Sequence, residues 1–201
     1  FLKISHILKE RNRYKLGKLV YANLASSHGL AQKKNYKSNW RSNIKRTPKG
    51  VYEIVSIHYI DLINYLVKVS KIGTPKLLNS SKIGSSFDTS LVEIKLQNEG
   101  LINIFSTYDS SYNKNLFFLF QNGIVEQRNN LIKIKGPTLN LDNKGFSKSP
   151  KIIKSFHISE NRDYKNSLVE SINFFLNHVK NKKKFSKKII DISLKSNSLI
   201  I

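Results

Sequence analysis

The sequence predicts an α/β protein of mixed α+β order, two small subdomains reading α-β-α-β-β and then β-α-β behind a basic N-terminal extension. Three stretches carry that expectation. Val51 to Lys71 returns Val55, Tyr59, Leu62, Ile63, Leu66 and Val69 to one face at helical spacing, and Gly73-Thr74-Pro75 stops it. Leu96 to Gly123 reads as a helix end, a corner at Gly100 and a hairpin, in which Leu101, Ile102, Ile104 and Phe105 face the apolar run Leu116 to Phe120. Asp163 to Val179 places Tyr164, Leu168, Ile172, Phe175, Leu176 and Val179 on one side of a second amphipathic helix.

The elements follow in order. Residues 1–50 form the extension, where Leu2, Ile4, Ile7, Leu8, Leu16, Leu19, Val20 and Leu24 suit one interrupted or two short helices ending near Gly29. From Gln32 to Gly50 basic residues alternate with Asn, Ser, Tyr36 and Trp40, a pattern that builds no core and suits an extended arm. Residues 51–140 form the first subdomain: the helix from Val51, a short strand at Lys76 to Asn79, and a second helix. That second helix has Ser90 and Glu93 in capping-box spacing and runs to Asn98. Strands then follow at Leu101, Leu116, Ile124 and Leu131, with Gly136-Pro137 as a turn. Residues 141–201 form the second subdomain, with a strand at Lys151 to Ile158, the helix from Asp163, a lysine run at 180–188 and a last strand at Ile189 to Leu194.

Composition narrows the partners. The 201 residues carry 35 Lys and Arg against 13 Asp and Glu, a formal charge of +22 whose self-repulsion a polyanion would relieve. An apolar fraction of 39% is low for a free-standing globule, so an outside partner is expected to add stability. With no cysteine, disulfides and thiolate chemistry are excluded. No apolar run is long enough for a membrane helix, and the first residues lack the apolar core and cleavage site of a secretory signal. His6, His28, His58, His157 and His178 are dispersed without ligand spacing, and the few carboxylates read as caps and salt-bridge partners, so neither a metal site nor an acid–base pair is expected.

Asp61-Leu62-Ile63 in the first strong helix, Ser80-Ser81-Lys82-Ile83 after a strand, and Glu99-Gly100-Leu101-Ile102 with Phe105 stand in an order that resembles the bacterial-type small-subunit ribosomal protein number eight family. The likeness spans Asp61 to about Pro137. It implies a non-catalytic structural constituent of a small ribosomal subunit, here mitochondrial or of another organelle, with ribosomal RNA and neighbouring ribosomal proteins as partners. The family's Ser-Thr-Ser-Lys-Gly loop has no counterpart in Ser155-Phe156-His157-Ile158-Ser159, so its RNA contacts are not carried over.

On that reading the phosphate-neutralising and stacking residues are Lys33, Lys34, Tyr36, Lys37, Trp40, Arg41, Lys45, Arg46 and Lys49 of the arm. To these are added Ser81, Lys82, Arg128, Lys133 and Lys135, and the cluster Lys182, Lys183, Lys184, Lys187 and Lys188. No cofactor, metal, membrane or small-molecule substrate is expected. Two alternatives are weighed. Gly50-Val51-Tyr52 with Tyr59-Ile60-Asp61 is similar to the two-part motif of GIY-YIG nucleases of organellar introns, but it ends in Asp and lacks the following arginine. The other alternative is a general nucleic-acid packaging protein, which the diffuse charge would also suit.

Overall fold

A computed structural model describes residues 2–98, 100–137 and 141–198. The chain runs α1 (Leu2–Lys9), β1 (Leu19–Ser27) and α2 (Ile57–Leu66), then β2 (Val69–Ile72), β3 (Lys76–Leu78), β4 (Thr89–Leu96) and β5 (Leu101–Thr107). It continues through β6 (Asn113–Phe120), β7 (Gly123–Arg128), β8 (Leu131–Lys135) and β9 (Ile152–His157) to α3 (Glu160–Lys180) and α4 (Lys187–Ser198). One nine-stranded sheet takes in every strand, in the order β2-β4-β5-β1-β6-β7-β8-β9, with β3 beside β4. Among these strand pairs only β1 and β5 run parallel, so Leu24 has Ile104 on one side and antiparallel Leu116 on the other.

Alternation decides which face is covered. Ala22 and Leu24 of β1, Val92 and Ile94 of β4, Ile102 and Ile104 of β5, and Leu116 and Phe118 of β6 are buried in one cluster. Ile4 and Ile7 of α1 and Ile60 and Ile63 of α2 close over it, each buried side chain contributing about 1.5–3 kcal/mol of transfer free energy. The intervening positions, Glu93, Asn103, Phe117, Glu126 and Lys133 among them, remain half-buried or exposed on the opposite face. At the end of the chain α4 lies on α2, where Asn64 Nδ2 donates to Ser196 Oγ at 3.1 Å and Ser196 Oγ donates to Asp61 Oδ1 at 3.0 Å.

The general α/β class holds, and four elements differ from the order read in the sequence. Val69–Ile72 is a strand paired with β4, so the helix expected to run to Lys71 ends at Leu66. Leu19–Ser27 is a strand rather than part of a helix, because β5 and β6 supply ladder partners on both its edges. Thr89–Leu96 is also a strand: Val92, Ile94 and Leu96 turn inward while Leu91, Glu93 and Lys95 turn outward, a period of two that the Ser90–Glu93 spacing concealed. Lys187–Ser198 is helical, so the strand expected at Ile189 to Leu194 is overruled by docking on α2. Glu99 lies outside the described residues, and Gly100 connects two strands. A Cβ there would stand 2.8 Å from the Leu19 carbonyl oxygen.

Candidate functional site

The parallel pair fixes one end of the molecule, because the carboxyl ends of β1 and β5 emerge side by side at Ser27 and Thr107. Residues 28–50 cross this edge in two short 3₁₀ turns, Tyr36–Ser38 and Trp40–Ser42. Backbone bonds anchor the crossing: His28 N to Thr107 O at 3.1 Å, Ala31 N to Tyr108 O at 2.9 Å, and Ser86 N to Ser42 O at 2.9 Å. Gly50 then turns the chain with φ +56°, where a Cβ would stand 1.8 Å from the Phe87 carbonyl oxygen.

After Gly50 the chain enters α2 through π-type turns at Tyr52–Ser56, a rare geometry that is frequent at functional sites. Ser56 is buried and holds this segment to the sheet, with Ser106 Oγ at 2.9 Å and Ser90 Oγ at 3.1 Å. His58 follows directly and is exposed.

Around the edge stand two buried phenols and one buried carboxylate. Tyr36 is pushed up to about 12 by burial and by the charges of Asp88 and Asp109, and its hydroxyl has no hydrogen-bond partner. Tyr108 is pushed up to about 12 by burial, which the Arg41 guanidinium opposes. Both therefore stay protonated at neutral pH. Burial alone would raise the Asp88 carboxyl, but hydrogen bonds from Ser81 and Ser80 outweigh it and hold the group below its ordinary value. Asp88 Oδ1 accepts from Ser80 N at 2.9 Å and Oδ2 from Ser81 N at 3.0 Å. The Arg41 guanidinium lies 4.3 Å over the ring of Trp40, which is 43% exposed, and Lys49 N donates to Glu53 Oε1 at 3.1 Å.

The residues singled out in the sequence divide by place. Lys33, Lys34, Tyr36, Lys37, Trp40, Arg41, Lys45, Arg46 and Lys49 all lie in the segment crossing the strand ends. Ser81 and Lys82 occupy the turn beside it, where Ile44 N bonds to Ser85 Oγ at 3.0 Å. Arg128, Lys133 and Lys135 sit on the other face of the sheet, with Lys135 Nζ 2.9 Å from Glu126 Oε1. Lys182, Lys183 and Lys184 are in the turn after α3, and Lys187 opens α4. The side chain of Lys188 lies outside the described residues. The sequence reading treated His58 as an ordinary surface residue, and only the π-type turns before it mark it out.

No group of three or more metal-ligating side chains converges among the described residues. No described helix is long and apolar enough to cross a membrane. The chain contains no glycine-rich phosphate turn: its nine glycines never fall in GxGxxG spacing, and the strand-to-helix turn from β9 to α3 has none. These residues by themselves build no cradle for a dinucleotide.

Residues 12–180 match an oxidoreductase family by its C-terminal alpha/beta domain, GFO_IDH_MocA_C. No curated protein matches the sequence. Solved structures share the fold. A candidate NADPH-dependent oxidoreductase from Desulfitobacterium hafniense has TM-score 0.71 and 11% identity over 99% of this chain and 56% of its own. An oxidoreductase from Agrobacterium radiobacter in complex with NAD+, L-tartaric acid and magnesium has TM-score 0.69 and 12% identity over 98% of this chain and 57% of its own. A levoglucosan dehydrogenase in complex with NADH has TM-score 0.68 and 12% identity over 96% of this chain and 59% of its own. The chain therefore spans just over half the length of these structures.

These matches overturn the ribosomal resemblance and what it implied: the rRNA and ribosomal-protein partners, the absence of catalysis, and the exclusion of a small-molecule substrate. The intron-nuclease and packaging alternatives fall with them. The physical reason is visible in the signposts, since the helix that should precede Gly100 is strand β4 and Ser80-Ser81 is a turn bonded to Asp88.

Proposed function

We propose, since this chain belongs to the GFO/IDH/MocA oxidoreductase family, that it forms the substrate-facing part of an NAD(P)-dependent oxidoreductase acting on a small polyhydroxylated substrate. The observation that carries the reading is His58, an exposed imidazole two residues after Ser56, whose hydroxyl bonds Ser106 near the carboxyl end of β5. Oxidation of a carbinol needs a group to receive the hydroxyl proton, and an imidazole nitrogen can accept one. His58 is assigned that role. Arg41 offers donors to substrate hydroxyl or carboxylate oxygens, and exposed Trp40 offers an apolar wall.

No described residue is assigned to holding the hydride acceptor, and no step is assigned to it. Residues 28–58 orient the substrate and take its proton. In the protein as its gene encodes it, sugars, polyols and hydroxy acids are assayed for nicotinamide reduction. His58→Asn is expected to lower kcat by about a hundredfold or more, the scale of general-base catalysis. Undiminished turnover in that variant removes His58 from the chemistry, and no turnover with any of the three substrate classes removes the reading itself.

A further inference from the structure

The opposite end of the sheet from residues 28–58 holds a cavity of about 790 Å³ between the end of α1, the last turn of α2, the start of β1 and the end of β6. That volume lies within the range of small-molecule sites. Leu8, Leu19, Phe118 and Phe120 form its apolar floor. Arg11, Lys18 and Lys68 stand at its rim, and none of the three has a carboxylate partner among the described residues. Asn64 borders both this cavity and an adjoining one of about 480 Å³ under α4, where Lys187 and Lys195 add two cations and Asp191 one anion. Asn64 Oδ1 is buried with no hydrogen-bond partner.

An apolar floor under a cationic rim selects one class of ligand. We propose that this cavity binds an amphipathic organic monoanion, with its carboxylate among Arg11, Lys18 and Lys68 and its apolar body over Leu19, Phe118 and Phe120. The site is separate from the proposed catalytic edge, because Leu19 and Ser27 are the two ends of β1, roughly 26 Å apart at strand rise.

Decanoate titrated calorimetrically into the full chain is expected to bind saturably at one molecule per chain. Lys18→Glu combined with Lys68→Glu should weaken it at least tenfold, and both side chains are exposed, so the fold is kept. Lys182→Glu with Lys183→Glu makes the same charge change elsewhere and should leave affinity unchanged. Leu66→Trp, which fills the cavity, should abolish binding while urea melts show the chain still folded. Absence of saturable heat, equal losses in the two lysine pairs, or decanol binding as tightly as decanoate would each overturn the proposal.

Discussion

The central strands and α3 are both amphipathic, yet they end in opposite states. Leu24, Ile104, Leu116 and Phe118 are wholly buried, whereas Tyr164, Ile172, Phe175 and Val179 of α3 are 55–66% exposed. Both elements carry an apolar side, but among the described residues only the strands find a surface to bury it against. A sequence pattern thus marks a face that wants cover and leaves open what supplies it. The stability of this chain should accordingly reside in the sheet and its two covering helices, with α3 contributing little.

Substitutions can break that contrast. The largest loss is expected at Gly50→Ala, where positive φ and the Phe87 carbonyl leave no room for a methyl group. About 4 kcal/mol or more should disappear from the urea-unfolding free energy, and a loss under 1 kcal/mol would mean that the crossing segment is not anchored as described. Phe118→Ala, in the middle of the buried cluster, should cost about 3–5 kcal/mol by the same measurement.

Asp88→Asn should cost about 2 kcal/mol, since the amide replaces a carboxylate that accepts from both Ser80 and Ser81. The folded carboxyl lies below its unfolded value, so its stabilisation is present above the ordinary aspartate pKa of about 4 and is lost as pH falls through the lower, folded value. Unfolding free energy measured from pH 6 downward should therefore decline less steeply in Asp88→Asn than in the unaltered chain. At the small end, Phe175→Ala on α3 should change stability by no more than about 0.5 kcal/mol. A change comparable to that of Phe118→Ala would erase the contrast.

The strands β5 to β9 and the helix α3 were legible because alternating or 3.6-residue patterns stand alone in those segments. β1 was not, since Leu16, Leu19, Val20 and Leu24 also fit a helical face and only partners far along the chain choose between the two readings. For α4 the misleading signal was the run Ile189-Ile190-Asp191-Ile192, which favours a strand locally, while Ser196, Asn64 and Asp61 join it to α2 as a helix. The candidate site was half visible. Tyr36, Trp40, Arg41 and Lys49 were singled out together as neighbours in sequence, but they were given to a phosphate partner because charge reports affinity for anions in general. His58 was passed over, because π-type turns leave no mark in residue order.

The first strand among the described residues lies in the middle of its sheet. As the chain is synthesised, β1 emerges before both its partners and remains unpaired until β5 and β6 have followed it out, so the centre of the sheet closes late. Pairing over such sequence distances raises contact order and slows folding toward the millisecond-to-second range. During that interval both hydrogen-bonding edges of Leu19–Ser27 are open to pairing with strands of other molecules, the hazard that an unpaired strand edge carries.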